Sequence, residues 1–284
     1  MLQPYQSLPY SDFSDPARAA DYRRALEQVG AQLGTHAPLV IGGQAVATEG
    51  VIRSVDPSRP LRLVGTAASA TDDHAAQALS AAWEAFPSWS RTSAVKRAEI
   101  VHRVGDLIAA RIYEFAAWQT YEAGKNWAEA EADVAEAIDF CRYYAHQALE
   151  MDKPLPVYDY PGEANDSWLQ PIGAGVVIPP WNFPLAILVG MTMGPVAAGN
   201  TVVLKPASNT PLVGWGLMQV LEEVGMPPGV VNYLPGPGAR VGDRLVDDPT
   251  TRFINFTGSK EVGLRIAERA AHVHDDQKWM KRAY

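Results

Sequence analysis

Cysteine is nearly missing from this sequence, whose 284 residues include a single one, Cys141. A lone thiol cannot form a disulfide within the chain, and chains without disulfides are typical of a reducing compartment. The first twenty residues contain neither a basic stretch nor an apolar core, so the sequence predicts no signal peptide. Together these features predict a cytoplasmic protein.

Long apolar runs and clusters of basic residues are missing as well. The most apolar run, 185–199, spans 15 residues and contains Pro195, and it is too short for a helix that crosses a bilayer. The 24 basic residues are outnumbered by 32 acidic ones, giving a net charge of −8. The composition therefore argues against a membrane or nucleic-acid partner, and the 47% hydrophobic share indicates an ordinary globular protein.

Histidine is sparse too, with six scattered residues. The HVH at 272–274 has the spacing of a metal-binding pair, but no carboxylate or thiol accompanies it at a suitable separation. The sequence therefore predicts no metal site.

The first half of the sequence predicts a hairpin followed by helices. Residues 38–46, PLVIGGQAV, place Gly-Gly between two short apolar runs. Thr71 and the acids after it predict the start of a helix that Pro87 is expected to end, and further helices are predicted over 93–122 and 127–149. Two extended stretches flank the turn PGEAND and predict a protruding β-hairpin arm over 153–172, which would lean on another domain or subunit or form a local flap.

The second half, 173–284, alternates apolar strands with helices. The strand candidates GVVI, TVVLK, VVNYL and RFINF are continuous apolar runs, which is typical of strands covered on both faces. The alternation predicts an α/β fold with a Rossmann-like open parallel sheet, right-handed crossovers and helices on both faces.

Each of these strands leads into a turn rich in glycine or proline. The four turns are PPWNFP, KPASNTP, PGPGARVG and TGSKEVG. Because the strands are parallel, all four turns should lie at the carboxyl edge of the sheet, where open α/β sheets bind ligands.

The turn TGSKEVG gives the clearest indication of a ligand. A strand ends at Phe256 and a helix begins near Ser259, so the exposed N–H groups and the helix dipole suit a phosphate. Gly258 would let the backbone approach a diphosphate, and the Ser259 hydroxyl can donate to it. A plain serine-capped helix after a turn glycine is the alternative interpretation.

Two other turns carry weaker indications. PGPGARVG has glycines at Gly236, Gly238 and Gly242, but the spacing departs from the dinucleotide fingerprint, and a simple Pro-Gly turn also explains it. Lys205 ends the second strand, where an acid usually binds the ribose hydroxyls. A lysine can donate to those hydroxyls and leaves room for a 2′-phosphate, and a solvated strand-end lysine is the alternative.

Asn182 is a lone amide in a turn of prolines and aromatic residues. A donor held in such a rigid turn could stabilise an oxyanion. The alternative is a turn asparagine that satisfies its own backbone.

The segments PWNFP, LKPAS, PPGVVNYLPG and FTGSKEVG, in this order and spacing, resemble the aldehyde dehydrogenase superfamily over most of 173–271. The stretch 121–145, the ending WMKRAY and the N-terminal hairpin are similar to the branch that oxidises L-glutamate γ-semialdehyde to L-glutamate in proline catabolism. The resemblance implies that 1–284 is the NAD(P)-binding domain of a larger dehydrogenase. It divides into 1–152 with the hairpin and helices, the bridging arm 153–172, and the βαβ core 173–284.

The same resemblance implies the cofactor, the partners and the site residues. NAD is the expected cofactor, with NADP as a second choice, the substrate is a small aldehyde, and a homo-oligomer would form through the arm. Asn182 would stabilise the oxyanion of the thiohemiacetal, and Glu136 and Phe183 would border the aldehyde pocket. Many relatives carry glutamate in place of Ser208, so strict preference for NAD is open. The residues implied to lie along the cofactor are Ile178, Pro179, Trp181, Lys205, Ser208, Gly238, Gly242, Gly258, Ser259 and Val262.

The family's reaction also needs a cysteine thiolate and a glutamate that activates water. In relatives both follow the KRAY stretch, whereas this sequence ends at Tyr284. Cys141 shares a helix face with Val134 and Ile138 and is predicted to be buried and inert. The chain alone is therefore expected to lack the catalytic domain and to be inactive. Two alternatives stay open, a non-catalytic nucleotide-binding or assembly module and an acyl-CoA or acyl-phosphate reductase on the same scaffold.

Overall fold

The computed structural model describes residues 4–284. The helices in this range are α1 (Pro16–Gly30), α2 (Asp72–Trp89), α3 (Ala94–Ala109), α4 (Ile112–Ala123), α5 (Trp127–Met151), α6 (Ala186–Ala197), α7 (Pro211–Glu223), α8 (Asp243–Asp247) and α9 (Lys260–Ala271), with a π-helical turn at Gly238–Gly242. The strands are β1 (Thr35–Ala37), β2 (Leu39–Ile41), β3 (Gln44–Val46), β4 (Val51–Val55), β5 (Leu63–Ala68), β6 (Ala174–Ile178), β7 (Thr201–Leu204), β8 (Val231–Tyr233), β9 (Phe253–Phe256) and β10 (Arg282–Ala283).

The main sheet has seven strands in the order β10-β9-β6-β7-β8-β2-β3. The strands from β10 to β8 run parallel, and β2 and β3 add an antiparallel edge. From β6 the chain moves outward to β7 and β8, then returns to place β9 on the other side of β6. The strand order therefore reverses between β6 and β9, which creates a crevice at their carboxyl ends, where Ile178 pairs with Phe256.

Successive residues of the central strands face two different helical layers. Val176 and Val203 pack with α2 and α8, whereas Val177 and Val202 pack with α5, α6 and α7. This alternation follows from the pleat of a strand, which sends neighbouring side chains to opposite faces. The predicted open parallel sheet with helices on both faces is confirmed.

The N-terminal region extends this sheet and adds a smaller one. The predicted hairpin is confirmed as β2 and β3, with Gly42 and Gly43 at φ values of 59° and 78° in the turn between them. The side chain of Asn232 in β8 accepts a hydrogen bond from Gly42 N at 2.8 Å. Strands β1, β5 and β4 form the second, three-stranded sheet.

Two helix boundaries differ from the sequence prediction. Pro87 lies inside α2, which continues to Trp89 because Trp89 is buried in the core and Ser90 N still bonds Phe86 O at 2.8 Å. The predicted helix over 93–122 is two helices, α3 and α4, separated by a turn at residues 110–111. The third predicted helix is α5.

The arm, residues 153–172, is extended and largely exposed. A single antiparallel bridge, Leu155 to Ser167, joins its two sides in place of a continuous ladder. Its exposed side chains include Tyr158, Tyr160 and Trp168. Over residues 4–284, none of the helices combines the length and the apolar character needed to cross a membrane.

Candidate functional site

The four predicted turns meet at one edge of the main sheet. Ser208 Oγ, after β7, donates to Gly236 O, after β8, at 3.2 Å. Thr257 N, after β9, approaches Ile178 O at the end of β6 at 3.4 Å. The turns thus contact each other in two pairs, and because β6 and β7 are neighbours the four turns lie side by side as a rim at this edge.

The start of α9 presents unpaired N–H groups to this rim. Ser259 caps the helix, because its Oγ accepts from Val262 N at 3.3 Å. Within the described part of the chain, the N–H groups of Lys260 and Glu261 meet no acceptor. Helix N–H groups with the dipole behind them favour an anion, and they lie beside the β6–β9 crevice.

Helices α6 and α7 begin at the same rim but are closed by buried acids from distant helices. Neither helix has a cap from its own N-cap side chain. Asp133 Oδ1 on α5 accepts from Ala186 N at 2.6 Å. The two oxygens of Glu122 on α4 accept from Leu212 N at 2.9 Å and Val213 N at 2.8 Å. Buried carboxylates therefore accept from one N–H group at the start of α6 and from two at the start of α7, whereas at the start of α9 the capping side chain is the exposed Ser259.

Lys205 is buried at the end of β7, so the solvated interpretation is wrong. The residue is 4% exposed, and its Nζ donates to Pro206 O at 3.1 Å. Burial lowers the pKa of Lys205 to about 8. A Cβ at Gly242 would lie 3.5 Å from Lys205 Cε, so the turn after β8 lies against this lysine.

Position 258 requires glycine for a steric reason, since a Cβ there would lie 2.7 Å from the ring of Phe256. Gly238 differs, because its position opens onto free space. Among the other predicted cofactor residues, Pro179 is buried, Ile178 and Ser208 are half-buried, and Trp181 and Val262 are exposed.

Asn182 is exposed, and its side chain makes no hydrogen bond with residues 4–284. The alternative interpretation, in which the Asn182 side chain hydrogen-bonds its own backbone, is therefore wrong. The neighbouring ring of Phe183 lies 4.4 Å from Lys125 Nζ, measured to the ring centroid. Lys125 Nζ also bonds Asp133 Oδ2 at 2.5 Å, so one cation connects the turn to α5.

Glu136 lies on α5 within reach of the same charges. Burial and then the charge of Asp133 raise the pKa of Glu136, and the charge of Lys125 opposes them. Glu136 lines a groove of about 940 Å³ that runs between α5 and α6 to Phe256 and Tyr284. Phe183 and all ten predicted cofactor residues lie outside this groove, at the rim.

The family model of the aldehyde dehydrogenase family matches residues 45–280 of this chain. The chain belongs to the aldehyde dehydrogenase family. A curated relative, 1-pyrroline-5-carboxylate dehydrogenase of Geobacillus kaustophilus, is 51% identical over 282 residues, which are 99% of this chain and 55% of the relative.

Solved structures give the same family. A Thermus 1-pyrroline-5-carboxylate dehydrogenase with bound NAD is 48% identical, with a TM-score of 0.98, over 100% of this chain and 55% of that one. The Δ-pyrroline-5-carboxylate dehydrogenase of Mycobacterium tuberculosis is 30% identical, with a TM-score of 0.90, over 100% of this chain and 53% of that one. This aldehyde dehydrogenase chain thus spans about half the length of the relatives it matches.

Cys141 of this aldehyde dehydrogenase chain is fully buried, as predicted. Burial raises the pKa of its thiol well above the ordinary value, so a reactive thiolate does not form there. His272 and His274 contact each other edge-on, with ring centroids 4.9 Å apart. No group of three potential metal ligands comes together anywhere in 4–284.

Sequence reasoning missed three residues that support the rim, Glu122, Lys125 and Asp133. They lie on or beside helices that are far from the turns in sequence. From sequence alone, each of them is indistinguishable from a charged residue on the solvent-exposed face of a helix. A carboxylate that caps a helix 53 or 90 positions away leaves no local pattern. Only the tertiary structure shows their partners.

Proposed function

We propose that this chain is the dinucleotide-binding part of an NAD(P)-dependent dehydrogenase that oxidises L-glutamate γ-semialdehyde to L-glutamate. One observation carries the cofactor assignment: the N–H groups of Lys260 and Glu261 meet no acceptor among the described residues, beside the crevice where the strand order reverses. The NAD-bound Thermus relative, which is 48% identical, supports the choice of cofactor. Its name and that of the Geobacillus relative support the choice of substrate.

The residues at the rim suit each part of a dinucleotide. The start of α9 would bind the diphosphate through N–H groups and the Ser259 hydroxyl. Lys205 and Ser208 would bind the adenosine ribose, with Gly238, Gly242, Gly258 and Val262 along the adenosine and the diphosphate. Since β7 ends without an acid, the 2′-phosphate of NADP meets no carboxylate of that strand.

The turn after β6 would serve the reacting half. Ile178, Pro179 and Trp181 would line the path of the dinucleotide, whose nicotinamide accepts a hydride when bound. Asn182 has a free amide that can donate to an oxyanion formed on the substrate, and Glu136 and Phe183 would border the aldehyde.

We expect no aldehyde oxidation by the chain as sequenced. Its one thiol, Cys141, is fully buried and is not available as a nucleophile. NADH formation on mixing the chain with NAD and the semialdehyde would contradict this assignment. We further propose the cytoplasm as its compartment, in keeping with its single cysteine.

Calorimetric titration of the chain with NAD and with NADP tests the cofactor assignment. We expect heat of binding with NAD, and we expect Lys205→Met to weaken that binding about 10- to 100-fold, since a hydrogen bond from a charged donor contributes about 1.5–3 kcal/mol. The control is Lys96→Met, which removes an exposed lysine on α3. No heat with either dinucleotide would refute the cofactor assignment.

The same variant should become more stable while it binds less tightly. The folded pKa of about 8 lies below the ordinary value of 10.5, so Lys205 costs stability below pH 8, and this cost disappears as the pH rises from about 8 to 10.5. Because one pKa unit corresponds to about 1.4 kcal/mol, Lys205→Met should raise the free energy of unfolding by about 2–3 kcal/mol at pH 7. Urea unfolding at pH 7 and pH 10 should show the gain shrinking at the higher pH.

We also propose that the arm joins copies of this chain into a homo-oligomer. Tyr158 is 97% exposed, and Tyr160, Trp168 and Leu169 are exposed beside it, which is more apolar surface than a free flap needs. Sedimentation velocity should show association at micromolar concentration that the double variant Tyr158→Ser/Trp168→Ser abolishes. Unchanged sedimentation of that variant would exclude the arm as the interface.

A further inference from the structure

The turn that carries Asn182, residues 179–185, has a fixed backbone but few bonds of its own. Pro179, Pro180 and Pro184 restrict its φ angles. The Asn182 amide makes no hydrogen bond within 4–284, and Trp181 is 55% exposed. The position of the amide therefore depends on what holds the two ends of the turn.

The far end of the turn is held by Asp133. Its Oδ1 accepts from Ala186 N, the first residue of α6, at 2.6 Å, and its side chain is 0% exposed. The N-cap residue Leu185 offers no side-chain cap. Asp133 therefore fixes where α6 begins and where the turn ends.

Lys125 connects this carboxylate to the middle of the turn. Its Nζ lies 2.5 Å from Asp133 Oδ2 and 4.4 Å from the ring centroid of Phe183, the residue after Asn182. An ammonium over a ring face is attracted by about 0.5–2 kcal/mol, with the larger values where water is excluded, and Lys125 is nearly buried. One ion pair thus contacts the chain at two points that follow Asn182, at Phe183 and at Ala186.

We propose that Lys125 and Asp133 are positioning residues for the Asn182 turn. This inference rests on the proposed function, in which the turn holds the nicotinamide half of the cofactor and presents the Asn182 amide to the substrate. An ion pair with a purely structural role would stabilise the whole chain without any special effect on residues 179–185. Loss of the ion pair would therefore destabilise the turn locally in the first case and the whole chain in the second.

The test uses a double variant, Lys125→Met/Asp133→Asn, which removes both charges but keeps an acceptor oxygen for Ala186 N. Hydrogen exchange of the bonded amides Ala186 N and Val189 N should become about tenfold faster or more, because the end of the turn and the first turn of α6 open locally. Lys125→Arg, which keeps the cation and the pair, should exchange at a rate near that of the unmodified chain.

Val29→Ala is the matched control, since Val29 is buried between α1 and α4, away from the rim. It lowers global stability but should leave exchange of Ala186 N and Val189 N unchanged. Exchange of the double variant within twofold of the unmodified chain would overturn the proposal. Equal acceleration in Val29→Ala would overturn it too.

Binding of two ligands gives a second readout. NAD should bind the double variant about fivefold more weakly or worse, whereas ADP-ribose, which lacks nicotinamide and relies on the α9 side of the rim, should change less than twofold. Equal weakening of both ligands would overturn the positioning role. If the unmodified chain binds neither ligand, the proposed function fails, and the exchange experiment still decides whether the ion pair holds the turn.

Discussion

Replacing Glu122 by alanine should lower the free energy of unfolding by about 3–5 kcal/mol. The substitution strands two buried donors, Leu212 N and Val213 N, at the start of α7. An unsatisfied buried donor costs about 1–3 kcal/mol, and the lost side-chain volume adds a cavity. Urea unfolding at pH 7 measures the loss. Because α7 follows the turn that contains Lys205 and Ser208, a frayed α7 should also weaken NAD binding.

A pH series separates the cap from simple packing. Burial raises the pKa of Glu122 to about 7, against the two N–H donors that lower it, from an ordinary value of 4.5. The folded pKa lies above the unfolded one, so the stability that Glu122 contributes is lost as the pH rises from about 4.5 to 7. Glu122→Gln, with one acceptor oxygen for two donors, should therefore cost more at pH 5 than at pH 7. A cost independent of pH would contradict the assignment.

Trp89→Ala is the second change with a large expected effect, again about 3–5 kcal/mol. Trp89 is one of the largest fully buried side chains among the described residues, and it lies at the end of α2. Its Nε1 donates to Val196 O near the end of α6 at 3.0 Å. It thus joins the helical layers on the two faces of the sheet, and its removal opens a cavity between them.

Trp89→Phe divides this cost into its parts. Phenylalanine fills most of the volume, and Val196 O keeps its hydrogen bond from Gly199 N, so the loss of the indole donor should cost about 0.5–1.5 kcal/mol. Leu61→Ala, at a fully exposed position outside the arm, is the control and should change stability by no more than about 0.5 kcal/mol. A loss at Trp89 no greater than that at Leu61 would mean that Trp89 does not join the two layers.

Local sequence patterns were sufficient to predict the four central parallel strands and the turns that follow them. Strands β6 and β7 are continuous apolar runs because helices cover both of their faces. The hairpin was predictable because Gly42 and Gly43 supply the positive φ angles that its turn needs. These signals lie within a few residues of the structure that they specify.

The support of the rim could not be predicted in this way. The caps of α6 and α7 come from Asp133 and Glu122, whose helical surroundings resemble an ordinary charged surface. Lys205 was ambiguous for the same reason, since its burial depends on the turn around Gly242 and not on its neighbours in sequence. The prediction that Pro87 ends the helix was wrong because the burial of Trp89 stabilises the helix by more than the loss of the one hydrogen bond that a proline removes.

The helix caps that Asp133 and Glu122 supply limit how far residues 173–284 can be transplanted as an independent unit. Residues 173–284 contain every predicted strand of the βαβ core, but the acids that close α6 and α7 belong to α5 and α4. If residues 173–284 were excised or grafted onto another protein, the N–H groups at the starts of α6 and α7 would lose their carboxylate acceptors. Shuffling of this half between proteins must therefore carry the preceding helical region with it.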